Sequence, residues 1–69
     1  MERTFGEIVR ENRLARGLTQ KQLGILSGYK ETTAMRAIQF IEKDQREPDI
    51  GKLRPMAEAL GITLEELIP

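Results

Sequence analysis

Apolar residues recur along this chain at helical spacing, in five short runs separated by Gly, Pro or polar clusters. The first run opens at Thr4-Phe5-Gly6-Glu7, where a Thr three residues ahead of a Glu is a capping box, and stops at Gly17. Phe5, Ile8, Val9 and Ala15 supply its inward face. Asn12 falls near the middle of that face, so either its side chain bonds a backbone group or the helix is rotated. The second run starts at the capping box Thr19-Gln20-Lys21-Gln22 and passes through Leu23 and Leu26 to Gly28. The third runs from about Thr32 to Lys43 and divides a helix into two faces. At about 100° per residue, Ala34, Ala37, Ile38 and Ile41 form one apolar arc with Met35 at its edge. Thr32, Arg36, Gln39 and Lys43 gather on the far side, a stripe of two cations, an amide and a hydroxyl.

A polar connection from Asp44 to Asp49 follows, and Pro48 within it prevents further helix. Asp49 is a good N-cap for a fourth helix carrying Ile50, Leu53, Met56, Ala57 and Leu60 and ending at Gly61. Pro55 lies inside this pattern and should bend it, its ring pressing on the carbonyl of Gly51. A last capping box, Thr63-Leu64-Glu65-Glu66, opens a short fifth helix with Leu64, Leu67 and Ile68. Without repeats or linkers, the expected fold is all-α: one domain over residues 1–69, a bundle of five short helices.

Composition narrows the function. Aromatic residues are only 4%, so the core must come from aliphatic side chains on helices. The lack of Cys and of a leader points to a reducing cytoplasm, and no apolar run is long enough to span a membrane. An enzyme reading fails on inventory. With no His, no Cys and a single Tyr, Tyr29, neither a nucleophile with its base nor a Cys/His metal site can be assembled. Glu65 and Glu66 are adjacent and diverge on a helix, and there is no Gly-rich phosphate loop or evident small-molecule site. No cofactor is expected.

Net charge is zero, but it is unevenly spread. Residues 1–30 hold six basic side chains against three acidic, and residues 31–69 hold five against eight. A basic face with an acidic back fits this distribution, and so does a solvated surface with no partner.

The ordered set Arg13-Leu14-Ala15-Arg16-Gly17-Leu18-Thr19-Gln20, Leu23, Gly28, Ile38, Ile41-Glu42, Arg46, Pro48, Leu53, Ala57, Leu60-Gly61 and Leu64-Glu65-Glu66-Leu67 resembles the lambda-repressor/Cro-like helix-turn-helix family. Each motif alone is weak; their order across nearly the whole chain is specific. The resemblance implies a five-helix DNA-binding domain with the helix from Gln20 to Ser27 across the DNA backbone and the helix ending at Glu42 in the major groove. It also implies that Arg13 pairs with Glu42, fixing that helix against the first one. The chain departs from the family pattern in three places. Extra residues between Gly28 and Ile38 make either a longer turn, Tyr29 to Thr33, or an early start to the third helix. Asp44 stands where Gly is usual. Phe40 stands where a polar residue is commoner, to pack on the turn or to meet a thymine methyl.

Arg36 and Gln39 are the leading base readers, since Arg bonds guanine and Gln bonds adenine bidentately. On an isolated helix the ordinary reading, two solvated side chains, is the stronger; the resemblance reverses it. Of Thr32 and Thr33, one is expected to be the N-cap and the other to touch a base or phosphate, and Phe40 completes the base-contact set. Gln20, Lys21, Lys30, Lys43 and Arg46 suit phosphates, Gln20 because helix N-termini attract anions; each cation is equally at home as a solvated charge.

The expected function is sequence-specific binding of double-stranded DNA by a transcriptional regulator, a repressor rather than an activator, as a homodimer on a palindromic operator. Leu64, Leu67 and Ile68 serve either the dimer interface or the core. Two rivals stand beside this: a protein-interaction module such as an antitoxin or regulator subunit, favoured by the zero net charge, and a DNA-binding piece of a larger regulator.

Overall fold

The computed structural model describes residues 2–68, and these form α1 (Phe5–Ala15), α2 (Gln20–Leu26), α3 (Glu31–Glu42), α4 (Ile50–Leu60) and α5 (Leu64–Leu67), with no strand among them. Met1 and Pro69, the two ends of the expected 1–69 domain, lie outside the described residues.

Three helices begin at a threonine that closes a reciprocal capping box. Glu7, Gln22 and Glu66 each donate their backbone N–H to the preceding Thr hydroxyl at 3.0–3.1 Å. In return, each side chain accepts the N–H of Thr4, Thr19 or Thr63 at 2.8–2.9 Å. Two of the otherwise orphaned polar groups at each start are thereby satisfied.

The other two helices start without a side-chain capping bond. Neither Thr32 nor Thr33 is the cap of α3: Lys30 holds that position in extended conformation without a side-chain bond, and the helix begins at Glu31. The extra residues are thus resolved as an early helix start rather than a longer turn. An acid in the first turn, Glu31, favours this by meeting the positive end of the helix dipole. Asp49 does cap α4 by position, but its carboxylate makes no capping bond and faces Lys52 Nζ at 3.8 Å.

Four helices end in the same reversal. The N–H of Leu18, Tyr29, Gln45 and Ile62 bonds the carbonyl five residues back, and the N–H just before it bonds three residues back, all within 3.0–3.1 Å. This double bond requires a left-handed residue. Gly17, Gly28 and Gly61 supply it three times; at the end of α3 it is Asp44, with φ of 58°.

The apolar arc of α3 is buried in full: Ala34, Ala37, Ile38 and Ile41 meet Val9, Leu23, Met56, Ala57, Leu60 and Leu67 in one core. Burying each Ile or Leu in this way contributes roughly 1.5–3 kcal/mol. Several expected core positions lie elsewhere. Ala15 is exposed, because α1 turns Gly6, Val9 and Arg13 inward. Asn12 keeps its place on the edge of that face by donating its amide to the carbonyl of Ile8 at 2.8 Å. Leu26 is more than half exposed and Ile50 is 87% exposed, since both sit at a helix terminus where the apolar face runs out. Leu67 belongs to the core rather than to an interface, while Ile68 is exposed. Helix α4 continues through Pro55, which leaves the carbonyl of exposed Gly51 to water.

Candidate nucleic-acid interface

The geometry of α2 and α3 follows from one close approach. A Cβ added at Gly24 would lie 2.5 Å from the carbonyl oxygen of Ala34, so the two helices pass with no room for a larger residue. Between them lies a four-residue turn, 27–30, in which Ser27 and Tyr29 are buried. Sequence reasoning passed over Gly24; a glycine inside a helical pattern, costing about 1 kcal/mol against Ala, is the signal that could have found it.

A second contact fixes α3 from its far end. Arg13 donates Nε and Nη2 to the carboxylate of Glu42 at 2.6 and 3.2 Å, and Nη1 to the carbonyl of Leu18 at 2.9 Å. Gln20 donates Nε2 to the same carboxylate at 3.1 Å. The Arg13 and Glu42 side chains are 10% and 4% exposed. A fork of two parallel bonds constrains both distance and plane, so α1 and α3 are held in orientation as well as in contact. Gln20, at the first position of α2, is tied by one amide hydrogen and keeps a second to offer outward.

With its apolar side buried and both ends tied, α3 presents the remaining face to solvent. Thr32, Arg36, Gln39 and Lys43 are all exposed, with Thr33 and half-exposed Phe40 on one flank and half-exposed Met35 on the other. Phe40 thus keeps part of its ring accessible on this face. The hydroxyl of Thr33 reaches only the carbonyl of Lys30, at 3.4 Å. This face brings together the five residues singled out for base contact on one side of one rigid helix.

The cations chosen for phosphate contact are distributed around that face. Lys21 pairs with Glu31 at 3.6 Å, two exposed side chains whose mutual attraction is worth little in water. Lys30 and Lys43 flank the helix as its N-cap and C-cap residues. Arg46 lies with its guanidinium carbon 5.4 Å from the centroid of the Tyr29 ring, and Lys52 places Nζ at 5.0 Å from the same centroid. Burial pushes the Tyr29 hydroxyl above its usual pKa, with Arg46 acting in the opposite direction and Asp49 adding to the rise. The phenol is thus neutral at physiological pH.

Beside the start of α4, Phe5, Pro48, Ile50, Leu53 and Ile68 line an open cleft of about 440 Å³, edged by Asp44 and Arg46. Among the described residues there is no group of three His, Cys, Asp or Glu placed to hold a metal ion, and no helix long and apolar enough to cross a membrane.

A family model described as helix-turn-helix matches residues 9–67. Among solved structures, the chain is similar to the restriction-modification controller protein C.AhdI from Aeromonas hydrophila. The two are 34% identical over 93% of this chain and 91% of that chain, with a TM-score of 0.75. No curated protein matches the sequence.

Proposed function

The chain belongs to the lambda-repressor/Cro-like helix-turn-helix family, and we propose that its function is sequence-specific DNA binding that regulates transcription, exercised as a repressor in the cytoplasm. The single observation that carries this reading is the division of α3. Four apolar side chains are sealed in the core, while Thr32, Arg36, Gln39 and Lys43 are left exposed in one stripe. A helix of this width fits the major groove, where guanidinium and carboxamide groups distinguish base pairs. Gln20, Lys21, Lys30, Lys43 and Arg46 supply the sequence-independent attraction to phosphates.

A homodimer on an approximately palindromic operator completes the proposal, because two copies of α3 related by a two-fold axis would enter successive major grooves ~34 Å apart. Ile50 and Ile68, both exposed beside the apolar cleft, are suited to the contact between copies. The similarity to a restriction-modification controller makes genes of that kind the first place to seek the operator. No catalytic role is proposed.

Selection of bound sites from a random duplex pool tests all of this together. Recovery of a consensus with two inverted half-sites is the expected result. A pool that returns no consensus would sink the sequence-reading role of α3. The zero net charge favours one rival, a module that docks α3 on another protein. Affinity for duplex DNA that stays flat across a salt series would favour that rival, because phosphate-driven binding weakens steeply as salt rises.

A further inference from the structure

Tyr29 sits in the turn ahead of the recognition helix, 8% exposed, and its hydroxyl has no hydrogen-bond partner among the described residues. A buried phenol without a partner costs more than a Leu or Phe of similar shape, so the hydroxyl does not account for the residue. The ring does. Two cations from a different part of the chain, Arg46 and Lys52, lie 5.4 and 5.0 Å from its centroid, within the range at which the electron-rich face attracts positive charge. The bond from the Tyr29 N–H to the carbonyl of Gly24 fixes the backbone beneath it, so the ring is a firm platform.

Arg46 differs from the paired cations in how it is held. Arg13 is neutralised by Glu42, Lys21 faces Glu31, Arg3 pairs with Glu11 and Lys52 faces Asp49. Among the described residues Arg46 has no such carboxylate, yet its guanidinium is held over the ring. A guanidinium drawn to a ring by its charge has all five N–H donors and spends none of them on a carboxylate, so they stay free for an anion. It also follows α3 by four residues, past the Asp44 reversal, which places it close to the end of the helix assigned to the groove.

We propose that Tyr29 is a positioning residue: its ring holds the Arg46 guanidinium in readiness for a backbone phosphate beside the recognition helix. This rests on the DNA-binding reading above. The ring lowers the ordering that Arg46 must undergo on binding, and the two-pronged fit of guanidinium to phosphate then fixes α3 in register. A neutral phenol keeps this role throughout the physiological range.

The test compares wild type, Tyr29→Phe, Tyr29→Leu, Arg46→Ala and Tyr29→Leu/Arg46→Ala on a duplex recovered by selection, over a salt series. Arg46→Ala should lower the slope of log affinity against log salt by about 0.9, one phosphate's share. Tyr29→Leu should weaken binding about two- to fivefold, the range for an exposed cation over a ring, and should cost nothing further once Arg46 is gone. Tyr29→Phe should match wild type. An equal loss from Tyr29→Leu with and without Arg46 would overturn the proposal, since a merely structural role behaves that way. So would an unchanged slope in Arg46→Ala. Should Tyr29→Leu fail to fold, NMR of wild type decides: the Arg46 side-chain protons should be shifted upfield by the ring and stay so with DNA bound. Their return to ordinary values on binding would show that the cation leaves the ring to reach the phosphate, and would overturn the proposal too. Wild type that binds no duplex would defeat the DNA reading along with this one, whereas intact binding with additive losses defeats this one alone.

Discussion

The carboxylate of Asp44 accepts the backbone N–H of Gly6 at 2.9 Å, joining the reversal that ends α3 to the first turn of α1. The two residues are distant in sequence, and each is shaped by the other. A Cβ on Gly6 would lie 2.6 Å from the carbonyl oxygens of Ile41 and Glu42, so only glycine lets the helix ends meet. Asp44 in turn tolerates a left-handed backbone while satisfying a helix N-terminal donor. Asp44→Ala should therefore lose the bond and keep the strain, lowering stability by about 1–2 kcal/mol. Asp44→Gly removes the strain with the bond and should cost less than about 1 kcal/mol. Urea denaturation midpoints distinguish the two; an Ala variant as stable as wild type would deny the bond any energetic weight.

Removing one partner from the Arg13–Glu42 pair leaves the other charged and buried. Glu42→Ala should destabilise the domain by about 3–5 kcal/mol, a large share of what a chain of this size possesses. Replacing both, as Arg13→Met/Glu42→Leu, should restore most of that stability. Operator affinity should still fall in the double variant, because Gln20 and α3 lose their common anchor. Thermal unfolding and DNA titration on the same samples separate the two effects.

Tyr29 sets an alkaline limit on stability. Its pKa in the folded chain is raised, mainly by burial, above the ordinary value of about 10. The folded state thus binds the proton more tightly than the unfolded chain. Its contribution is fully present below pH about 10 and is lost as pH rises toward the folded value. Tyr29→Phe should lack this decline. Stability measured between pH 8 and 11 checks it, and identical alkaline limbs for wild type and variant would contradict the assignment.

Glycine to alanine changes at two helical positions should have opposite signs. At Gly24 the added methyl meets the Ala34 backbone, which cannot yield without moving α3; the gain in helix propensity is outweighed and a net loss of about 1–3 kcal/mol is expected. At Gly51 nothing lies within 4 Å, and alanine should stabilise by about 0.5–1 kcal/mol. Calorimetry of both variants gives the comparison, and Gly24→Ala should also weaken DNA binding by displacing the recognition helix.

Arg36→Ala/Gln39→Ala should leave helicity and stability nearly unchanged, since both side chains are exposed. Discrimination between operator and random duplex should fall by roughly 2–6 kcal/mol, about 1–3 for each bidentate pairing with a base that is removed. Retained discrimination would exclude both residues from the reading face.

Much of this architecture is legible in the residue order because its signals are local. The three Thr capping boxes, the glycine stops and the buried arc of α3 depend on spacings within one or two turns. What escapes such a reading depends on the approach of distant segments. Ala15 and Ile50 fit an apolar pattern but lie where no neighbour covers them, and Gly6 and Gly24 are silent until another backbone arrives. The start of α3 lies earlier than the residue pattern suggests because Lys30 and Glu31 form no conventional N-cap, so threonines further on draw the boundary. The Tyr29 platform cannot be foreseen, since its cations come from a loop and a helix whose direction only packing decides.

Four helices that each end by turning the chain back on itself, joined by short connections, have a kinetic consequence. Most partners, those between α2 and α3 above all, meet after closing small loops, which puts acquisition of structure in the microsecond to millisecond range typical of helical bundles. Ribosomes add only about 5–20 residues per second. Translation, rather than self-assembly of the polypeptide, therefore sets how soon a newly made copy reaches its folded state.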